Sequence, residues 1–276
     1  GSTTPIDYGV PGAQAFIDEG WIIASSDHQG MGTPGIHQYT VNITNALDTV
    51  NIVRAIKEMD LGAGDKFGIV GWSQGGGTAA AAAELDQEAL GGLELVGAVA
   101  MAPGVPSISV TVPETQAMLA GSTPRPPDTH LCMILGAMVA AFPDTLSLDD
   151  VFTPLGKQIF NENWNTASVH HLGDILTRAY KHQGPILDVK KDRLPVWMEC
   201  FVKASAALRK PTSPVLVLID GQDPDGPCPL PWQLGYIEAI KKLGGDISST
   251  TYPNDDHFSL PQASIGEAKT WLNSKF

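Results

Sequence analysis

The sequence contains few cysteines, and none of them is placed for a metal site. Cys132, Cys200 and Cys228 are the three cysteines among 276 residues, and their wide spacing is not that of zinc ligands. Their odd number leaves at least one thiol unpaired unless it reaches another chain. The count is compatible with the cytosol, and equally with secretion and a single disulfide. We therefore predict that the protein holds no metal, and nothing else in the sequence calls for a cofactor.

Basic residues are also scarce: 17 lysines and arginines stand against 30 aspartates and glutamates, which gives a formal net charge of −13. This charge argues against a nucleic-acid partner and against adhesion to anionic lipid, and no basic stripe offsets it. No uninterrupted apolar segment is long enough to span a membrane, so we expect no stable membrane insertion. The first residues, from Gly1 to Pro5, have neither the basic start nor the apolar core of a signal peptide.

What the sequence does contain is an alternation of strand and helix patterns, with 43% hydrophobic residues to build a core. The predicted strands are Gly20–Ser26, Phe67–Trp72, Leu93–Ala102, Pro214–Ile219 and Ile247–Tyr252. The predicted helices between and around them are Pro11–Glu19, Tyr39–Met59, Thr78–Leu85, Trp232–Leu243 and Pro261–Lys275. Such alternation is typical of an α/β fold in which helices flank a mostly parallel sheet.

The middle of the chain departs from this alternation. Between Val105 and Pro211 the strand patterns disappear and amphipathic helices broken by prolines are predicted, at Met118, Leu131–Phe142, Leu155–Phe160, Ile175–Ala179 and Val196–Leu208. We therefore predict a core made of residues 1–104 and 212–276, and a helical cap of residues 105–211 inserted before the strand Pro214–Ile219. Because such an insertion leaves and rejoins the sheet at the carboxyl ends of its strands, it should roof any site there.

The most informative stretch is Gly71-Trp72-Ser73-Gln74-Gly75, in which an apolar run ends abruptly at a serine flanked by glycines. The strand before it and the Ala-rich helix after it place Ser73 in a strand-to-helix turn, the setting of a nucleophile elbow. Such a turn forces a cramped backbone, tolerated when Gly71 and Gly75 lack a Cβ. The serine hydroxyl would be exposed, with the N–H of Gln74 facing a substrate carbonyl. The alternative is a Gly-rich turn with an incidental serine, since a bare Gly-x-Ser-x-Gly often occurs by chance.

A serine nucleophile needs a base and a carboxylate that orients the base, and candidates for both follow late strands. His257 comes after the strand Ile247–Tyr252, and Asp223 comes after the strand Pro214–Ile219. The order serine, aspartate, histidine is that of α/β-hydrolases. The acid has a second candidate, because Asp225 begins a turn pattern that often follows such an acid. We favour Asp223, since the strand fixes where the loop begins.

At these residues the chain resembles the secretory lipases of the Candida antarctica lipase A type, a capped branch of the α/β-hydrolases. The resemblance is carried by Gly20–Gly30, by Ala46-Leu47-Asp48 with Arg54-Ala55, by the elbow, and by the late aspartate and histidine loops. It covers most of the predicted core and little of the cap. It implies an α/β-hydrolase fold, ester hydrolysis by the serine, and an extracellular location.

The same resemblance implies a role for Asp27. In that family the aspartate of the Asp-His-x-Gly loop contributes to the oxyanion hole, which here maps onto Asp27, with the N–H of Gln74 as the second donor. The alternative for Asp27 is a carboxylate that caps its own turn. His28 lies in the same loop, and the remaining histidines are expected on the surface or in the cap: His37, His130, His170, His171 and His182.

Two features depart from the pattern of these lipases. Trp72 and Gln74 flank the serine where the family commonly has smaller or phenolic residues. The family also carries additional sequence before the helix at Pro11, and without that sequence the sheet would lack its first strands and show an open, apolar edge. We therefore expect this chain to be a fragment or processed form whose sheet is completed by an N-terminal segment or another chain.

Together these features predict a serine carboxylic-ester hydrolase, a lipase or esterase that acts on a small-molecule or lipid ester. Ser73 would attack the ester, His257 would take its proton, and Asp223 would orient His257. A capped serine peptidase or amidase would use the same triad. Outside the enzymes, the alternative is a binding protein of the same fold with an inactive triad.

The predicted substrate-binding residues lie beside the nucleophile and in the cap. Trp72 precedes Ser73 directly, and Met133 and Met138 belong to the run Leu131–Phe142, which is apolar all round. Part of this run must either bury in the cap or face a pocket. Acyl-chain binding and a purely structural cap core are both open, since methionine and leucine at helical spacing are usually core residues.

Overall fold

The computed structural model describes residue 10 and residues 12–110, 127–222 and 226–276. Four strands form one sheet in the order β1-β2-β3-β4, and every neighbouring pair is parallel. The strands are β1 (Lys66–Trp72), β2 (Glu94–Met101), β3 (Val215–Asp220) and β4 (Ile247–Tyr252). Because the strands are parallel, the residues that follow them meet at the carboxyl end of the sheet.

Helices flank this sheet, as the alternation of patterns predicted, and further helices lie in the segment between β2 and β3. They are α1 (Ala13–Ile17), α2 (Asn42–Glu58), α3 (Gln74–Ala82), α4 (Gln87–Leu90), α5 (Pro106–Ser109), α6 (Thr129–Ala141), α7 (Pro154–Asn163), α8 (Val169–Gln183), α9 (Leu194–Lys203), α10 (Leu230–Lys242) and α11 (Leu260–Asn273). All six residues of β3 are buried, as expected for a strand covered on both faces.

Two hydrophobic clusters cover the two faces of the sheet. In one, Val50 of α2, Ala80 of α3 and Ile240 of α10 pack with the sheet residues that face them. In the other, Phe16 of α1 and Leu272 of α11 pack on the opposite face. The predicted α/β architecture, a parallel sheet flanked by helices, is therefore confirmed.

The strand predicted at Gly20–Ser26 is wrong, because within the described residues this segment pairs with no strand. Trp21 is held instead by its N–H, which donates to the carbonyl of Phe16 (3.2 Å), and by ring contacts with Phe16 and Phe276. A strand needs a hydrogen-bonded neighbour. Residues of this segment and residues of β1 both line a groove of about 440 Å³, and no strand pairing joins the segment to β1.

The outer side of β1 is an open edge in the part of the chain that the structure describes, where β1 pairs with β2 alone. Val70 on this strand is 37% exposed, and Ile22 across the groove is 44% exposed. An unpaired apolar strand edge is a template for pairing with another strand. The open, apolar edge expected from the sequence is thus present. An N-terminal segment or another chain that completes the sheet stays a prediction.

The segment between Val105 and Pro211 contains helices and, in its described residues, a single isolated bridge between Phe152 and Leu187 in place of strands. Most of the third hydrophobic cluster comes from this segment, including Leu135, Trp197 and Phe201, each of them buried. The predicted helices at Leu131–Phe142, Leu155–Phe160, Ile175–Ala179 and Val196–Leu208 correspond to α6, α7, α8 and α9, whereas Met118 lies outside the described residues. Because β2 and β3 are parallel, this segment leaves the sheet at the carboxyl end of β2 and returns at the amino end of β3, which corrects the expectation that it rejoins at the carboxyl ends. That residues 105–211 act as a cap over the site stays a prediction.

A buried carboxylate joins this segment to the core. Glu84, which follows α3, is 2% exposed, and its carboxylate accepts three backbone N–H groups. The donors are Ala207 (2.6 Å), Leu208 (3.1 Å) and Arg209 (3.0 Å), at the point where the chain returns to the sheet. With three hydrogen bonds to its carboxylate, Glu84 holds the backbone of residues 207–209 against the end of α3.

Glu84→Gln should destabilise the fold by about 1–3 kcal/mol, because the amide would turn an NH₂ group toward backbone N–H donors that the buried carboxylate now satisfies. In a chain of this size the melting temperature should then fall by roughly 2–10 °C. Thermal unfolding followed by circular dichroism measures the shift. Glu58→Gln, at an exposed position on the last turn of α2, is the matched control and should change stability by no more than about 0.5 kcal/mol. Equal melting temperatures for Glu84→Gln and the unsubstituted protein would contradict the anchoring role.

Candidate active site

Ser73 occupies a strained position between β1 and α3. Its φ is 57° and its ψ is −113°, a combination that residues with a side chain rarely adopt. The N–H of Ser73 donates to the carbonyl of Met101 (2.9 Å), and the carbonyl of Ser73 accepts from Gly77 (3.1 Å) and Gly104 (3.0 Å). The end of β2 and the segment after it therefore hold the strained turn in place. The sharp strand-to-helix turn predicted from the sequence is present.

The glycines around this turn have different roles from those expected. A Cβ on Gly71 would collide with the backbone of Gly75, so the absence of a side chain at Gly71 is required. The corresponding position on Gly75 is open, which corrects the expectation that both flanking glycines are needed for space. Gly76 is more constrained than Gly75, since a Cβ on Gly76 would lie 2.6 Å from the carbonyl oxygen of Met101. The close approach of α3 to the end of β2 therefore depends on Gly76.

His257 is the predicted base, and its observed partner is Asp220. The Nδ1 atom of His257 lies 3.1 Å from Oδ2 of Asp220, and the two side chains are 2% and 0% exposed. Asp220 is the last residue of β3, and its other oxygen, Oδ1, accepts a hydrogen bond from Nε2 of Gln233 on α10. Both oxygens of this buried carboxylate are thus paired, which burial of a charge requires. An aspartate in this position can fix the ring and tautomer of the histidine.

Asp220 and Gln233 are not among the residues predicted from the sequence. The apolar run ends at Ile219, and the predicted acid lies in the loop after it, where the favoured Asp223 and the alternative Asp225 are both outside the described residues. The available signal was a carboxylate directly continuing a fully apolar strand, since such a residue must be buried and must find a partner. The role of Asp223 or Asp225 stays a prediction, and among the described residues Asp220 is the carboxylate that contacts His257.

Cys228 lies against the nucleophile. Its Sγ is 3.9 Å from Oγ of Ser73, and its carbonyl accepts a hydrogen bond of 2.6 Å from Nε2 of Gln233. Burial raises the pKa of the Cys228 thiol to about 12, more than the nearby Ser73 hydroxyl lowers it. The thiol therefore stays protonated and uncharged near neutral pH. It contacts Ser73 but does not compete with it as a nucleophile. All three cysteines are free.

The predicted oxyanion residues Gln74 and Asp27 lie on elements that His37 connects. Gln74 is the first residue of α3, and its Nε2 lies 2.9 Å from Nε2 of His37. The other ring nitrogen of His37 lies 3.1 Å from the carbonyl oxygen of Gln29, two residues after Asp27. His37 is partly exposed, which is compatible with the surface position expected for it, and the sequence did not indicate its contact with Gln74. The oxyanion roles of the Gln74 N–H and of Asp27, whose side chain is exposed, stay predictions.

His28 belongs to the same loop and stacks on His37. The two rings are nearly parallel, with an angle of 9° and centroids 6.1 Å apart. Burial is the main effect that lowers the pKa of His28, and the charge of His37 lowers it further, while Asp48 and Asp27 oppose this. His28 is therefore favoured in its neutral form next to His37.

Trp72, one of the predicted substrate-binding residues, packs against the base. Its ring centroid is 5.0 Å from that of His257 and 5.9 Å from that of Phe258. Phe258 in turn contacts His257 edge-on, although 67% of Phe258 is exposed. The loop that carries His257 is thus held against the elbow by aromatic contacts.

The two methionines predicted to bind substrate differ in their surroundings. Met138 on α6 is fully buried in the third hydrophobic cluster, the position of a structural core residue. Met133 is only partly buried and packs on the outside of the same cluster. Substrate binding stays a prediction for both, and Met133 has the more accessible side chain.

Metal sites and membrane-spanning helices are both absent from the part of the chain that the structure describes. No group of three or more histidine, cysteine, aspartate or glutamate side chains there is arranged to hold a metal ion. None of the helices in these residues is both long enough and apolar enough to cross a membrane.

Comparison with known proteins identifies relatives of this arrangement. The sequence profile of the alpha/beta hydrolase family matches residues 20–265. Candida antarctica lipase A in its closed state superposes with a TM-score of 0.71 at 16% identity, covering 97% of this chain and 63% of that chain. LipA, the rice cell wall degrading esterase of Xanthomonas oryzae, superposes with a TM-score of 0.64 at 15% identity, covering 94% of this chain and 75% of that chain. No curated protein matches the sequence. At such identities the two structures establish the fold, and they confirm the resemblance that the sequence motifs indicated.

Proposed function

The chain belongs to the alpha/beta hydrolase family, and we propose that it is a serine carboxylic-ester hydrolase, a lipase or esterase. The observation that carries this proposal is the strained backbone of Ser73. A conformation of this kind costs about 1–3 kcal/mol and persists where the surrounding structure enforces it, most often at active sites. Two proteins of the same fold support this class of reaction. Xanthomonas oryzae LipA is an esterase, and Candida antarctica lipase A is a lipase.

In the proposed reaction, Oγ of Ser73 attacks the ester carbonyl while Nε2 of His257 takes its proton. Asp220 receives the N–H of His257 Nδ1, which leaves Nε2 free to accept that proton and stabilises the imidazolium that forms. The N–H of Gln74 and the loop of Asp27 would stabilise the oxyanion. His257 then donates the proton to the leaving alcohol, and water hydrolyses the acyl-enzyme by the reverse sequence of proton transfers.

The test of this proposal combines turnover with covalent labelling. The protein should hydrolyse p-nitrophenyl butyrate, and a fluorophosphonate should label Ser73 and stop the reaction, because only an activated serine reacts with it. A p-nitroanilide of the same acyl group, assayed in parallel, separates an esterase from a peptidase or amidase. Absence of labelling and of turnover would instead favour a binding protein with an inactive triad.

The acyl chain of the substrate is proposed to contact the partly buried side of α6 at Met133. Met133→Thr should then raise KM for octanoyl esters by about 4–20-fold relative to acetyl esters, because each methylene removed from water contributes roughly 0.8 kcal/mol. Steady-state kinetics on p-nitrophenyl esters of two, four and eight carbons measures this ratio.

Met138→Thr is the matched control, since Met138 lies on the same helix but inside the hydrophobic cluster. It should lower the melting temperature and change KM by the same factor for all chain lengths, because it disrupts the packing of the hydrophobic cluster and removes no contact with the acyl chain. If Met133→Thr behaves in the same way as Met138→Thr, α6 does not bind the acyl chain.

A further inference from the structure

The structure connects the two parts of the proposed oxyanion hole through one side chain. The ring of His37 reaches Gln74, the residue after the nucleophile, with Nε2, and reaches the carbonyl of Gln29 with Nδ1. Gln29 belongs to the loop that begins at Asp27, and Gln74 begins α3. Within the described residues these are the two hydrogen bonds recorded for the His37 ring, one directed to each element.

The chemistry of these two contacts fixes the tautomer of His37. The carbonyl of Gln29 can only accept a hydrogen bond, so Nδ1 of His37 must carry the proton. In the neutral ring Nε2 is then an acceptor, and it faces the NH₂ group of Gln74, which can donate. Each donor therefore meets an acceptor along the path from Gln29 through His37 to Gln74.

The loop on the other side of this path is itself held firmly. The N–H of Gln29 donates to Oδ2 of Asp48 on α2 (2.8 Å), and the N–H of Gly30 donates to Oγ1 of Thr33 (2.9 Å). A Cβ on Gly30, where φ is 85°, would collide with the backbone of His37, so the loop folds back closely on itself. His37 thus joins this hydrogen-bonded loop to the first residue of α3, so its side chain can influence their separation.

We propose that His37 is a positioning residue for ester hydrolysis, which links the Asp27 loop to the side chain of Gln74 and so holds this loop and the backbone N–H of Gln74 at the separation that a tetrahedral oxyanion requires. This inference rests on the proposed function. A donor aimed at the position of the oxyanion lowers the barrier only if it is already in place, so small displacements reduce the rate of the chemical step. Because His37 acts through Gln74 and the loop, its removal should affect kcat more than KM.

The test uses two substitutions of the same residue. His37→Phe keeps a ring that can pack against His28 and Tyr39 but removes both hydrogen bonds, and it should lower kcat by about 10–100-fold, since a misplacement of about 1 Å costs on the order of 100-fold. His37→Gln offers an oxygen to Gln74 and an NH₂ group to Gln29, and it should recover most of that loss. KM should stay within about twofold in both variants.

A double-mutant cycle tests whether His37 acts through Gln74. Gln74→Met removes the side-chain hydrogen bond but keeps the backbone N–H, and once it is present His37→Phe should cost little more. His130→Phe is the matched control, because the ring of His130 also contacts Tyr39, with centroids 6.3 Å apart, but its recorded polar contact is with Asp128. This variant should retain the kcat of the unsubstituted protein.

The outcomes separate this inference from the function on which it rests. An inactive, unlabelled wild-type protein overturns both. An active wild-type protein with an unchanged kcat in His37→Phe overturns the positioning role alone. Equal losses in His37→Phe and His37→Gln, accompanied by equal falls in melting temperature, also overturn it, because a purely structural ring would give that result.

Discussion

Ser73→Ala should abolish ester hydrolysis, with kcat falling by about 10⁴-fold or more, because the proposed acyl-enzyme forms on the Ser73 hydroxyl. The pKa of Cys228, raised to about 12 by burial, keeps the neighbouring thiol from replacing the lost hydroxyl. The free energy of unfolding should change by no more than about 1 kcal/mol, since the hydrogen bond that the described residues offer this hydroxyl is long, at 3.9 Å to Sγ of Cys228. Hydrolysis of p-nitrophenyl butyrate and thermal unfolding of the same preparation measure the two effects.

The control for this substitution is a serine of the same sheet that is remote from the turn. Ser249 lies exposed on β4, and Ser249→Ala should leave both kcat and fluorophosphonate labelling unchanged. Ser73→Ala should lose the label completely. Turnover of Ser73→Ala above about one hundredth of the wild-type rate would show that another residue is the nucleophile, since removing a true nucleophile costs far more.

Much of the fold could be predicted because it depends on local patterns. The strand at Ile247–Tyr252 has the same bounds in the sequence interpretation and in the structure, and the strands around Val99 and Val217 were recognised as short apolar runs between helices. The strand predicted at Gly20–Ser26 carries a similar pattern but pairs with no strand in the described residues. A pattern of side chains reports the tendency to form a strand, whereas pairing depends on a neighbour that the pattern does not contain.

The site could be predicted in part for the same reason. Ser73 follows from a local turn pattern, and His257 from its place after the last strand. Asp220 and His37 could not be predicted from a local pattern, because their contacts are between residues far apart in the sequence. Asp220 contacts His257 and His37 contacts Gln74, and the residues of each pair are 37 positions apart. Choosing among several nearby carboxylates, or among seven histidines, requires the geometry of the folded chain.

Asp220→Asn should lower kcat by about 10³–10⁴-fold, because an asparagine that donates its NH₂ group to Nδ1 would stabilise the tautomer in which Nε2 already carries a proton. His257 could then no longer accept the proton of Ser73. Asp223→Asn and Asp225→Asn, measured in the same assay, should each cost less than about tenfold if Asp220 is the orienting acid. A loss of several orders of magnitude in either of these variants, with a mild effect of Asp220→Asn, would transfer the role to the loop.

The buried position of Asp220 requires a control for folding. Gln233→Met removes the hydrogen bond to the other oxygen of the same carboxylate and leaves the contact with His257 intact. It should lower the melting temperature at least as much as Asp220→Asn does, since it removes two hydrogen bonds of the Gln233 amide, one to Asp220 and one to the carbonyl of Cys228. The two variants should differ in kcat, with a large loss for Asp220→Asn and a small one for Gln233→Met. If their losses of kcat were equal at equal stability, Asp220 would be a structural carboxylate, and the orientation of His257 would have to come from another residue.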